Sequence, residues 1–153
     1  MIESLTLALS YPLRLMATFA AVGVLRLFGV AVRADRTLIA VGDDGFGLAI
    51  TDACGGIEQL FALVLVGGVM SWMMQRSLAF RLAHWACILP SIVLANALRL
   101  VVTVALYLNC GETVLGGLWH RGLGYAQSAL ALALLWLFGK ALQLSDPATA
   151  SPS

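Results

Sequence analysis

Leu82–Leu108, LAHWACILPSIVLANALRLVVTVALYL, is the stretch from which the fold follows. It is apolar for almost its whole length. As a helix it would be about 40 Å long, enough to cross a hydrocarbon core of about 30 Å. Polar residues interrupt its second half. Asn96, Arg99, Thr103 and Tyr107 are spaced by three, four and four residues, which stacks them as one stripe on an α-helix. An arginine near the centre of a membrane helix costs about 2.5–3.5 kcal/mol even on a lenient insertion scale. Its head must therefore face the protein interior or a wet cavity. Asn96, one turn away, is placed to offer a carbonyl oxygen to the guanidinium. The plainer reading of Arg99 is a pin between helices; the sharper one is a functional charge, the default for ionisable groups inside a membrane.

The rest of the chain agrees with a lipid solvent. Of 153 residues, 61% are hydrophobic and only 11% charged, against about 25% charged in soluble domains. A water-soluble chain this short has no interior large enough to hide that surface. The net charge of +1 gives no electrostatic case for nucleic acid. Cys54, Cys87 and Cys110 show no metal-ligand spacing, and no metal or organic cofactor is implied. Three thiols leave at least one without an intramolecular partner.

Three further apolar stretches flank the first: Leu13–Val32, Ile57–Met74 and Gly122–Leu142. The expected architecture is an all-α membrane protein. It has about four transmembrane helices, near 13–32, 57–74, 82–108 and 122–142, in one integral-membrane domain covering 1–143. Ile2–Leu13 reads as an interfacial lead-in. The tail at 144–153, rich in Ser, Pro, Ala and Thr, reads as disordered. Leu38–Val41 and Phe46–Ile50 flank Gly42-Asp43-Asp44-Gly45, which predicts a short β-hairpin before the second helix.

Arg76 and Arg81 form the one compact basic loop with no acid in it, which places that loop in the cytoplasm. Both termini then lie inside. The 33–56 and 109–121 segments, with the hairpin, face out. Arg99 falls about 14 Å below the outer end of its helix, a depth its long side chain can partly offset.

That topology brings two more groups to the outer side. Cys54 precedes Gly55-Gly56 and the second helix, where the positive end of the helix dipole favours a thiolate. The glycines let another backbone approach closely, and their N–H groups suit an oxyanion. The plainer reading is a buried cysteine beside a helix-opening glycine pair. Cys110 lies on the same side and is a rival, since a disulfide with Cys54 would remove the thiol. His120 lies just before the fourth helix, and an imidazole there can accept and return a proton at working pH. Its plainer role is an interfacial ring beside Trp119. His84 falls at the cytoplasmic end, out of reach of Cys54.

Cys54-Gly55-Gly56, then Pro90 followed by Asn96-x-x-Arg99, then His120 ahead of a final apolar helix: this order and spacing resemble the exosortase/archaeosortase family of membrane-embedded protein-sorting enzymes. The resemblance spans about Leu38 to Leu137 and makes the chain read as a short, core-only member. It implies that Cys54 is the nucleophile, Arg99 the essential arginine and His120 the histidine. Gly55, Gly56, Asn96, Thr103 and Tyr107 would be supporting residues. It implies as partners exported proteins carrying a C-terminal sorting tail, with a membrane lipid or glycan as acceptor. The site would lie on the extracytoplasmic side of a multi-pass plasma-membrane protein. Gly55 stands where the family commonly has a small hydroxyl residue, and typical members carry further helices ahead of the core. Two other classes compete on the same residues: a non-catalytic membrane scaffold or assembly subunit, and a small transport component with Arg99 in a pore.

Overall fold

The computed structural model describes residues 2–42, 46–49, 57–73, 77–111 and 117–144; the side chains of 2–10, 46–49, 57–60, 117, 120 and 144 lie outside that description. Among the described residues, five helices and a small sheet follow one another. They are α1 (Ile2–Leu27), β1 (Val32–Asp35), β2 (Leu38–Val41), β3 (Phe46–Ala49), α2 (Ile57–Met73), α3 (Leu78–Ala86), α4 (Ile88–Cys110) and α5 (Gly117–Leu144).

The first helix departs from the expected 13–32 at both ends. It begins ahead of Pro12, which sits inside it. A ring there forfeits one ladder bond, yet the flanking residues continue the helix. It stops at Leu27 because Gly29 adopts a left-handed φ of 77°. The Val30 N–H then donates to the Leu25 carbonyl at 3.0 Å, and the Gly29 N–H to Arg26 at 3.0 Å. This is a Schellman stop, with Val30 packed beside the Leu25 cluster. Arg26 is exposed. Its Nε donates to the Val32 carbonyl at 3.1 Å, tying the helix end to β1.

The sheet is antiparallel in the order β1-β2-β3. Asp35 faces Leu38 across the two-residue turn Arg36–Thr37, where Arg36 takes φ 54°, as tight hairpin turns require. Val41 pairs with Phe46 in the second ladder. The hairpin expected from the sequence involves β2 and β3; β1 is a third strand, with Val32 turned inward between exposed neighbours. Val32, Ile39 and Val41 are buried in one cluster with Ala17, Ala21, Val22 and Leu25 of α1 and Ala97, Leu100 and Val104 of α4. The sheet thus lies against the C-terminal halves of both helices. Alanines at the α1–α4 contact let the backbones approach closely.

The helix expected over 82–108 runs from Leu78 to Cys110 with a hitch at Cys87. Pro90 has no N–H to give the Ala86 carbonyl, and its ring crowds that oxygen. Both the N–H and the hydroxyl of Ser91 donate to the Cys87 carbonyl, at 3.1 and 2.7 Å, and hold the joint. Ser77 caps α3 by accepting from the Phe80 N–H at 3.3 Å. Ser71 Oγ and His84 Nδ1, both buried, lie 2.8 Å apart and join α2 to α3. The last helix starts at Gly117 rather than 122, so position 120 lies within it and not in a loop before it.

Helix α4 is the centre of the fold. One side meets α1 and the sheet; Ile88, Ile92 and Ala95 on it pack with Leu63 of α2 and Ala131 and Leu135 of α5. Large apolar side chains stay exposed on the helices, among them Phe19, Phe61, Leu65, Trp72, Leu98, Leu118 and Trp136. In water such a surface would associate; against lipid it is at rest. Residues 78–110 and 121–143 are each long and apolar enough to cross a membrane. The expected tail beyond 144 lies outside the described residues.

A Cβ on Gly67 would stand 3.2 Å from Ile88 Cδ1 and 3.3 Å from Leu135 Cδ2, whereas one on Gly23 meets nothing within 4 Å. Gly67→Leu should therefore destabilise the protein through overpacking by about 1–3 kcal/mol, seen as a lower thermal midpoint in detergent. Gly23→Leu should leave it unchanged or higher.

Candidate functional site

The polar stripe of α4 does not stay buried all the way along. Asn96 and Arg99 are buried, at 1% and 8% exposure; Thr103 and Tyr107 are half-buried, and Cys110 is exposed. Burial thus falls away toward the end of α4 that faces the start of α5.

The guanidinium is held from across the helix interface. Arg99 Nη1 donates to Gln127 Oε1 at 2.8 Å, and Gln127 Nε2 donates to Asn96 Oδ1 at 3.2 Å. Arginine can only donate. Its charge therefore fixes which way the Gln127 amide points, and that in turn sets the oxygen of Asn96 toward Gln127. Gln127 is a neutral amide, so its bond solvates the cation without adding a negative charge. Thr103 Oγ1 donates to the Arg99 carbonyl at 2.8 Å, a bond back to its own helix.

Sequence reasoning names Asn96 as the guanidinium's neighbour but misses Gln127, the residue on α5 that links the two. A signal was present. Gln127 sits in an apolar run and, by the rule applied to Arg99, an amide in lipid must turn inward. Gln127, Ala131 and Leu135 recur every four residues and are all buried, which marks the inner face of α5.

The other expected residues are placed in part. Cys54, Gly55 and Gly56 lie outside the described residues, between β3 and α2. His120 is described in its backbone only, in the first turn of α5. It precedes Gln127 by seven residues, nearly two full turns and about 10.5 Å of rise. Position 120 therefore falls on the same face of α5 as Gln127, nearer the start of the helix. Among the described residues no three His, Cys, Asp or Glu side chains gather to hold a metal.

A cation solvated by fixed amides in an apolar surround is suited to stabilising a developing anion. It is not needed for packing. Replacing a buried charge by an apolar side chain of similar size is often neutral or stabilising, and here the two amides still pair with each other. Arg99→Met should accumulate in membranes at least as well as the parent, with an equal or higher melting midpoint in detergent.

No curated protein and no solved structure matches the chain. A family model described as transmembrane exosortase matches it over residues 1–137. That match covers the sheet, the buried arginine and the final helix as far as residue 137, and the chain belongs to the transmembrane exosortase family.

Proposed function

We propose that this protein is a membrane-embedded cysteine transpeptidase. It would cleave the C-terminal sorting signal of exported proteins and pass them, as a thioester on Cys54, to an anchor. The observation that carries the reading is the Arg99 guanidinium, buried within a candidate membrane span and held by Gln127, on the α5 face to which position 120 also belongs. Family membership supports protein sorting as the kind of process.

In this scheme the chain crosses the plasma membrane four times, with both termini in the cytoplasm. The sheet and the start of α5 lie on the outer side. Cys54 stands three residues ahead of Ile57, the first residue of α2, so its backbone is within about 10 Å of that helix end by chain length alone. His120 takes the thiol proton, or the two rest as a thiolate–imidazolium pair. The sulfur attacks the carbonyl carbon at the cleavage signature, and the carbonyl oxygen becomes an oxyanion. Arg99, with backbone N–H groups of Gly55 and Gly56, stabilises that charge; one such donor is worth about 2.7–4 kcal/mol. The C–N bond then breaks as His120 returns the proton to the leaving amine. The tail departs within the bilayer. An acceptor nucleophile, from a lipid or glycan or from water, attacks the thioester and frees the thiol. Thr103 and Tyr107, between Arg99 and the outer end of α4, would line the groove for the substrate, and Asn96 would position Arg99 through Gln127.

The test is intact-mass spectrometry of a tailed exported protein co-expressed with the enzyme. The parent should shorten the substrate by its tail. Cys54→Ala, Arg99→Ala and His120→Ala should each leave it full length while accumulating in the membrane. Identical substrate masses for the parent and Cys54→Ala would reject proteolysis of that substrate. A persistent bond between Cys54 and Cys110 would reject the thiol mechanism altogether.

A further inference from the structure

We infer that Gln127 is a positioning residue for Arg99: it fixes the guanidinium in place across the α4–α5 interface and does so without neutralising it. The inference rests on the catalytic reading for its consequence in turnover, though not for the geometry. Gln127 is 3% exposed, so its two hydrogen bonds are made away from water, where each is stronger than in solution. It accepts from Arg99 Nη1 at 2.8 Å and donates to Asn96 Oδ1 at 3.2 Å. An arginine side chain has several rotatable bonds and a strong drive to snorkel toward the interface. The Gln127 oxygen opposes that drive at mid-span. Asn96, one turn before Arg99 on the same helix, locks the Gln127 amide in the orientation that presents this oxygen.

The choice of an amide matters. A carboxylate at position 127 would hold the guanidinium more tightly, since charge-assisted bonds are about twice as strong, but it would also cancel the positive field. An oxyanion forming nearby would then meet an ion pair and not a cation. A side chain of the same shape without polar atoms would leave the charge but remove this hold on the guanidinium. Gln127 alone of these three gives both position and charge. Because position 120 is on the same face two turns away, the helix that sets Arg99 also sets the register of His120 against it.

The experiment compares Gln127→Met and Gln127→Glu with the parent, each as the full chain in membranes, by two readouts. One is the rate of tail release and the substrate level that half-saturates it. The other is labelling of Arg99 by an arginine-selective dicarbonyl, read by peptide mass, which needs no activity. For Gln127→Met the release rate should fall about 10- to 100-fold, as for a misplaced catalytic group. Half-saturation should stay within about 3-fold of the parent, and Arg99 should become labelled. For Gln127→Glu the rate should fall as well, while Arg99 stays as protected as in the parent. Parental turnover in either variant, or an unlabelled Arg99 in Gln127→Met, would overturn the inference. If the parent itself removes no tail, the catalytic reading fails and the labelling alone decides the positioning. If Gln127→Met fails to accumulate, the double variant Arg99→Met/Gln127→Met separates the cases: recovery of membrane levels supports a role directed at Arg99, and continued loss overturns it in favour of a structural one.

Discussion

A positive charge cannot rest inside an apolar protein unless fixed dipoles take the place of water, and this fold is arranged around that constraint. Arg99 lies near the middle of α4, the helix against which α1, α2 and α5 all pack. Gln127 accepts a hydrogen bond from it, and Gln127 in turn donates to Asn96. The two helices that supply the charge and the amide must therefore keep their relative height and rotation. Ala131 and Leu135, one and two turns beyond Gln127, bury against Ile88, Ile92 and Ala95 and fix that register on the other side of the charge. Packing and polar contact thus specify the same alignment.

The small sheet completes the arrangement from the opposite side. Its buried residues Val32, Ile39 and Val41 seat against Leu100 and Val104, just beyond Arg99 in α4. The Schellman stop at Gly29 and the Arg26 bond to Val32 decide where α1 ends and hence where the sheet begins. The C-terminal ends of α1 and α4, the sheet and the first turns of α5 share one end of the molecule. Chain connectivity brings the start of α2, and the Cys54-Gly55-Gly56 segment ahead of it, after the last strand of that sheet. The proposed chemistry requires this convergence and uses no group from the other end, where Ser71 and His84 join α2 to α3.

Much of this was legible because lipid imposes strict rules on sequence. The apolar run at 57–74 predicts α2, which spans Ile57–Met73. The spacing of Asn96 and Arg99 predicts one inward face, and both are buried. Where the reading departs from the structure, a local signal misleads. Ile2–Leu13 reads as an interfacial lead-in, and it is the first half of α1, with Pro12 inside the helix. Pro90 looks harmless inside an apolar run, yet the helix is interrupted three residues before it. The helix expected from 122 begins five residues earlier, at Gly117. Val32 continues the apolar run of the first stretch, so nothing local marks it as the start of a strand. Gln127 is the instructive omission. A lone amide costs less in lipid than an arginine and so draws less attention, but a buried cation must be answered by polar atoms on a neighbouring helix.

The central claim is that the thiol at 54 and the ring at 120 meet beside Arg99, and a cross-link tests it without any substrate. His120→Cys in a Cys87→Ser/Cys110→Ser background leaves thiols only at positions 54 and 120, and Leu118→Cys in the same background puts the second thiol on the opposite face of α5. Disulfides need Cα atoms within about 7 Å. After mild oxidation of membranes, peptide mass spectrometry should find the bond from position 54 to position 120 and little to position 118. No bond to 120, or an equal or greater yield at 118, would contradict the account.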